Sequence, residues 1–260
     1  MKLQFNNKEF ETKLRNKSNI KVGMTSPATK EKLLINMVIA KYELNKDKDV
    51  VIDPYASIGL STSLWADNAN KVIAIEKDEY IYWILKKNME NLGYKNVTTY
   101  NSDNLDYFKA WKSFGTDLKP KLIDLDPYAN CHEQIPYALS LKPKLLFITT
   151  GEQFYLMRNN NQGLDNRYGD LLKEIDDFWD FPTKVLYPFT IMNAPPEIRD
   201  KIKLEHFYIY QTSARLLLSI DYILKPETVL FLRSRPKNLG LVAKKNYKNI
   251  GLRGFTNARE

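Results

Sequence analysis

Apolar positions along this 260-residue chain fall into a regular alternation from about residue 50. Short runs rich in β-branched residues are separated by longer stretches in which apolar side chains recur at helical spacing. The runs VVID (50–53), VIAI (72–75), VTTY (97–100), KLIDL (121–125) and KLLFIT (144–149) predict strands. The stretches 60–69, 78–92, 103–113 and 133–141 predict the helices between them. Strands without polar alternation, each followed by a helix, predict right-handed βαβ units and a mostly parallel, doubly wound sheet covered on both faces. Asp78 and Gly93 bracket the second of these helices as start and stop signals. Upstream, TSPATKEKLLINMVIAKY predicts one more helix, with Ser26 as N-cap and Pro27 at its first position.

Past residue 150 the pattern loosens. RNNNQGLDNR (158–167) predicts a polar loop, YGDLLKEIDDFWDF a helix, and APPEIRDKI (194–202) a short helix opened by prolines. RLLLSIDYIL (215–224) and TVLFLRS (228–234), separated by KPE, predict a closing antiparallel hairpin, although the first run is apolar enough to form a helix instead. Trp65, Trp83 and Trp111 fall on predicted helices and are expected to pack.

Composition narrows the classes. Hydrophobic residues make up 43% of the chain, enough for a sizeable core. No run approaches the roughly 18 apolar residues of a membrane span, and the N-terminus lacks the apolar core of a signal peptide. One cysteine and two histidines argue against a disulfide framework and a structural zinc site, so no metal is expected and the expected location is cytoplasmic. The formal charge of +8 is concentrated at the ends: +4 over residues 1–22, +7 over 233–260 and −3 between them. Clustered basic ends predict a polyanionic partner, with Arg233, Arg235, Lys244, Lys245 and Arg253 as candidate phosphate contacts.

Two stretches carry candidate chemistry. In VVIDPYASIGLSTSLWA a strand ends in Asp53 and a tight loop with Gly59 leads into a helix, a place where backbone approaches a ligand closely. The next strand ends at Glu76, where doubly wound folds set an acid for ribose hydroxyls, and Asp103 follows the tip of the third. The loop has one glycine where a dinucleotide fingerprint needs three, and an acid beside it serves a pyrophosphate poorly. A cationic nucleoside without phosphate suits these acids better. DPYASIG is similar to the D-P-F-A-G-x-G motif of the Rossmann-like S-adenosylmethionine-dependent methyltransferase superfamily, with Ser57 at its middle glycine. That resemblance implies the class I methyltransferase fold and S-adenosylmethionine as cofactor. It implies Asp53 and the loop (Pro54, Tyr55, Ser57, Gly59) at the methionine end, Glu76 at the ribose and Asp103 at the adenine, with Lys77 and Asn104 as further cofactor-binding candidates.

The second stretch, LIDLDPYAN (122–130), ends a buried-looking strand with an acid, a proline and an aromatic ring. Methyltransferases acting on exocyclic amines of bases carry D/N-P-P-Y/F at this place. IDLDPYA, with its single proline, resembles the D-x-D-P-[FY]-G motif of the tRNA (guanine-N2) dimethyltransferase family, with Ala129 at the glycine. The resemblance spans about residues 25–150 and implies Asp126 as amine acceptor, Pro127 as a rigid carbonyl-presenting turn and Tyr128 as a stacking wall. Asp124 shares the sheet face of Asp126 and ranks second. Cys131 lies four residues past Pro127, unlike the cysteine of 5-methylcytosine enzymes, His132 is expected to open a helix, and NAPPEI lacks a following aromatic.

These readings divide the chain into a basic N-terminal segment (1–24), a methyltransferase domain (25–234) and a basic tail (235–260). They predict methyl transfer to an exocyclic base nitrogen of nucleic acid, RNA of tRNA type ahead of DNA. A DNA adenine or cytosine N-methyltransferase and a non-catalytic nucleic-acid-binding module are the alternatives.

Overall fold

The computed structural model describes residues 2–13, 27–114, 119–127, 129–152, 162–210 and 213–238. The chain divides into two compact units, the first running to Asn104 and the second beginning at Leu105.

The first unit opens with a hairpin in the segment read from sequence as a basic extension. Strands β1 (Lys2–Phe5) and β2 (Lys8–Glu11) pair antiparallel, with Phe5 opposite Lys8. The two turn residues, Asn6 and Asn7, both adopt positive φ, 51° and 60°, which asparagine tolerates and a two-residue hairpin needs. Phe5 and Phe10 then enter the core beside Leu33, Leu64, Leu85 and Met89. Asn88, fully buried, ties the hairpin down: its side chain accepts from the Glu11 N–H (2.7 Å) and donates to the carbonyls of Glu11 (3.0 Å) and Ile58 (2.9 Å).

Helix α1 (Pro27–Glu43) is followed by two βα steps and a third strand: β3 (Val50–Asp53), α2 (Leu60–Asn68), β4 (Lys71–Glu76), α3 (Glu79–Asn91) and β5 (Val97–Asn101). The strands run parallel in the order β5, β4, β3, with Asp53 level with Ala74 and Glu76 level with Asn101. As expected, the Asp78 side chain caps α3 by accepting from the Ile81 N–H (2.9 Å), and Gly93 ends it at φ 74°. The expected N-cap Ser26 lies outside the described residues.

Gly59, just before α2, sits at φ 96°, and a Cβ there would stand 2.5 Å from Met89 Cε and 2.9 Å from Leu85 Cδ1. Those side-chain ends can yield, but the left-handed backbone cannot be relieved, so Gly59→Ala is expected to lower unfolding free energy by about 1–2 kcal/mol. Chemical denaturation of the two proteins checks this, and an unchanged midpoint would contradict it.

Helix α4 (Asn104–Phe114) leads into the second unit. There β6 (Leu122–Leu125), α5 (Gln134–Ser140) and β7 (Leu145–Thr150) form a further parallel βαβ step. Three parts of the C-terminal half differ from the sequence expectation. Where a polar loop was expected over 158–167, residues Gln162–Tyr168 form helix α6, held by Arg167 and Tyr168 on the carboxylate of Glu152; residues 158–161 lie outside the described residues. The segment from 168 is helical in path but not α: 3-10 turns at Gly169–Glu174 and Phe178–Asp180 give way to a π turn at Phe181–Leu186, with Pro182 interrupting regular hydrogen bonding. Helices α7 (Tyr187–Met192) and α8 (Pro196–Arg199) follow.

The third difference is the closing hairpin. It exists, but its strands are β8 (Ile202–Tyr210) and β9 (Ser213–Ile220), while TVLFLRS forms helix α9 (Pro226–Arg233). Pro226 and Glu227 in the first turn and Arg233 in the last are ordinary helix signals. Strand β9 lies antiparallel between β7 and β8 and is buried on both faces, so its apolar run does not alternate.

Among the described residues, five of the seven core strands thus run in parallel ladders and the last two antiparallel. Trp65 and Trp111 are buried as expected, whereas Trp83 is 46% exposed on α3, its ring flanked by Tyr82 and covered by Lys86. Among the described residues no helix is long and apolar enough to cross a membrane.

Candidate active site

In the first unit, the carboxyl ends of three adjacent parallel strands carry the three predicted acids. Asp53, ending β3, is buried, and its Oδ2 accepts a hydrogen bond from the hydroxyl of Thr62 (2.7 Å) in the first turn of α2. Thr62 has no exposed surface, so Asp53 is fixed by a partner that its sequence neighbours did not reveal. Glu76, ending β4, accepts the Ser57 N–H at Oε2 (3.0 Å) and the Asp78 N–H at Oε1 (2.9 Å). Asp103, two residues past β5, is ion-paired with Lys77 (2.8 Å), and Asn104 donates to the Pro54 carbonyl (3.3 Å). The loop Pro54, Tyr55, Ser57, Gly59 is therefore tied to the strand tips by Glu76 and Asn104.

Ser57 stands where the resembled motif has glycine, and it takes φ 49°, the left-handed backbone that a glycine would adopt freely. The serine costs about 1–2 kcal/mol of local strain relative to glycine. The Ser57 N–H, the kind of donor a phosphate would require, is spent on the Glu76 carboxylate. An acid-rimmed loop whose donor already faces an acid suits a cation and repels a pyrophosphate.

In the second unit, β6 delivers Asp124 and Asp126 to one face of the strand. Asp124 is completely buried, whereas the Asp126 side chain keeps 17% of its surface. Both meet a residue that the sequence reading passed over. Arg215, on β9, lies level with Thr149 of β7, crosses the Phe147 ring (4.2 Å to the centroid) and donates to Asp124 Oδ1 (2.8 Å) and Asp126 Oδ1 (3.2 Å). Burial works against its charge, but the two carboxylates outweigh that and raise its pKa further. The available signal was a lone arginine in an apolar run, since a buried charge demands a partner.

The residues after Pro127 are also held. The Gly151 N–H and Thr150 hydroxyl both donate to the Ala129 carbonyl (2.6 and 3.3 Å), and Thr150 also donates to the buried Glu152 (2.9 Å). Cys131 is buried, and burial first, then Glu152, pushes its thiol well above the ordinary value. A thiol held protonated is no nucleophile. His132 lies two residues before α5 with Nδ1 2.7 Å from Asn130 Oδ1, and burial lowers its pKa. Arg233 ends α9 and Arg235 lies over the Phe231 ring (5.3 Å). Tyr128, Lys244, Lys245 and Arg253 lie outside the described residues.

With this geometry in hand, comparison with known proteins is informative. Residues 17–143 match the family model described as ribosomal RNA adenine dimethylase. The chain is also similar in structure to Trm1 from Pyrococcus horikoshii, solved with S-adenosyl-L-methionine, at a TM-score of 0.62, 15% identity and 85% coverage of this chain. The chain shares the Rossmann-like class I methyltransferase fold. It spans 61% of the Trm1 chain. Two further structures of the class I methyltransferase fold resemble it. One is the candidate methyltransferase yhhF from Escherichia coli (TM-score 0.51, 14% identity, 85% of this chain and 98% of that one). The other is PH0793 from Pyrococcus horikoshii (TM-score 0.51, 19% identity, 83% and 70%). No curated protein matches the chain. S-adenosyl-L-methionine, with which Trm1 was solved, is a phosphate-free cationic nucleoside of the kind that the acids of the first unit suit.

The Glu76 carboxyl is shifted in a defined direction. Burial raises its pKa above 4.5, against the opposing effect of the Asp78 and Ser57 N–H donors. A raised carboxylate pKa means that the proton returns earlier as pH falls, so acceptor capacity is lost above the ordinary glutamate range. The stability contribution runs the other way: Glu76 favours the fold most when protonated and loses that contribution as pH rises through its folded-state pKa. Calorimetric titration is thus expected to show S-adenosylmethionine affinity declining on acidification, with a midpoint above 4.5 that is absent in Glu76→Gln. An identical pH profile in the variant would contradict this.

Proposed function

We propose that this chain transfers a methyl group from S-adenosylmethionine to an exocyclic amine of a base in RNA. The observation that carries the reading is the end of β6. Of its two carboxylates, only Asp126 reaches the surface, at the start of an Asp-Pro turn anchored on both sides. In this reading Asp53, the 54–59 loop, Glu76, Lys77, Asp103 and Asn104 hold the cofactor, and Asp126, Pro127 and Tyr128 hold the base.

The chemistry follows from the nucleophile's weakness. The lone pair of an aryl amine is delocalised into its ring. Asp126 and the backbone carbonyl presented by Pro127 accept the amine hydrogens, which lets the nitrogen pyramidalise and localise that pair. When bound, S-adenosylmethionine supplies an electrophilic methyl on its sulfonium. As the N–C bond forms and the S–C bond breaks, the nitrogen carries one surplus proton, which the Asp126 carboxylate receives. Holding the amine in line supplies up to about 7–11 kcal/mol through lost translational and rotational freedom. Tyr128 adds stacking of about 1–3 kcal/mol per base.

RNA is favoured over DNA by the single-proline motif IDLDPYA and by the match to a ribosomal RNA adenine dimethylase model. The basic ends, +4 and +7, suit a phosphate backbone. The test is transfer of a radioactive methyl from the cofactor to total RNA and, separately, to DNA. Ribonuclease-sensitive label that declines steeply with added salt is the expected result. Label confined to DNA, or none in either, would overturn the reading.

A further inference from the structure

We infer that Arg215, with Thr149, is a positioning residue for methyl transfer, fixing the Asp126 carboxylate in its working orientation. The inference rests on the amine-acceptor role proposed for Asp126.

One face of three neighbouring strands of the second unit carries the whole device. Side chains alternate faces along a strand, so Asp124 and Asp126 share a face of β6, and Phe147 and Thr149 share a face of β7. Arg215 on β9 is level with Thr149. Its guanidinium lies over Phe147, and its NH2 group donates to Asp124 Oδ1 (2.8 Å). NH1 forks between Asp126 Oδ1 (3.2 Å) and Thr149 Oγ1 (2.6 Å). The geometry divides the labour. Asp124 and Arg215, 0% and 1% exposed, are the buried base of the cluster, and Asp126 is the member that reaches outward. A single guanidinium serving two carboxylates leaves the cluster with one net negative charge. An exposed aspartate at a strand end would ordinarily sample several rotamers; a charge-assisted bond to a guanidinium whose plane is itself locked by Phe147, Asp124 and Thr149 selects one. This is work a lysine cannot reproduce, because an ammonium lacks the planar fork.

The test uses the whole chain and four variants: Thr149→Val, Arg215→Lys, Asp126→Asn and the double variant Thr149→Val/Asp126→Asn. Each is measured for kcat, for KM of S-adenosylmethionine, and for the fraction of sites that bind cofactor, to which kcat is normalised. Arg215→Lys retains the buried charge, and Thr149→Val removes one hydrogen bond from a near-isosteric side chain, so folding of the second survives even where the first fails. The expected result is a fall in kcat of about 10-fold for Thr149→Val and about 100-fold for Arg215→Lys, in the range of lost hydrogen bonds to charged groups, with KM for the cofactor unchanged. In the Asp126→Asn background, Thr149→Val is expected to cost less than about 2-fold, because its effect passes through the carboxylate already removed. A normalised kcat for Thr149→Val equal to the parent, or losses that simply multiply in the double variant, would overturn the inference. If Asp126→Asn itself keeps full activity, the amine-acceptor role fails first and separately.

Discussion

Replacing Asp126 by alanine is expected to lower the methyl-transfer rate by about 10³-fold, within the span of a lost acid–base and orienting group, while S-adenosylmethionine binds as before. The size follows from asking one carboxylate to do two things: hold the amine hydrogens and receive the surplus proton. The separation of effects follows from where the residue stands, at the end of β6 in the second unit, whereas the acids assigned to the cofactor belong to the first. The variant should also fold. Removing Asp126 leaves Arg215 against Asp124, one positive charge against one negative, with the 2.8 Å bond between them intact. No buried charge is left uncompensated, which is the usual source of large losses. Steady-state transfer of labelled methyl, with cofactor affinity measured on the same preparation, checks both halves. Full activity in Asp126→Ala would refute the proposed chemistry.

The second large effect is expected at the cofactor residues. Glu76→Ala should weaken S-adenosylmethionine binding by about 10- to 100-fold, the equivalent of one or two charge-assisted hydrogen bonds. In the proposed reading Glu76 contributes twice, since its carboxylate retains acceptor sites for ribose hydroxyls and also pins the strained Ser57 backbone at φ 49°. Asp53→Ala should weaken binding comparably, and its interpretation needs a control, because the buried Thr62 hydroxyl loses its 2.7 Å acceptor. Asp53→Ala/Thr62→Val removes both partners and separates loss of ligand contact from loss of a satisfied hydrogen bond. Calorimetry giving parental affinity in both Glu76→Ala and the Asp53 pair would remove these residues from the cofactor site.

Much of this was legible in the sequence because parallel strands buried on both faces are written as short continuous apolar runs. VVID, VIAI, VTTY, KLIDL and KLLFIT each match an observed strand to within a residue or two. The Asp78 cap and the Gly93 stop were equally plain, since each is a local signal with a local cause. The N-terminal hairpin was not, because KLQFNNKEFE opens a Lys/Asn-rich stretch that is basic as a whole, and it reads as an extension until Phe5 and Phe10 are seen to need a core. The C-terminal hairpin was mispaired for a related reason. Its edge partner IKLEHFYIY carries a bulge between Leu204 and His206 that breaks the period of two, while the next apolar run, TVLFLRS, is long enough to pass for a strand. Arg215 is the most instructive omission. Its partners lie 91 and 89 residues away along the chain, and only the antiparallel return of β9 beside β7 brings the guanidinium to them. Long-range pairing of this kind leaves one trace in the sequence, a lone charge inside one apolar strand and two opposite charges at the end of another.

The central claim is the transfer of a methyl group to an exocyclic nitrogen of an RNA base. Its most direct test is to incubate the protein with deuterium-methyl S-adenosylmethionine and RNA, digest to nucleosides and identify the product by mass spectrometry. The account predicts a nucleoside carrying the heavy methyl on its exocyclic amine, absent with Asp126→Ala. Heavy methyl found only on a ring nitrogen, a ring carbon or the ribose would contradict it.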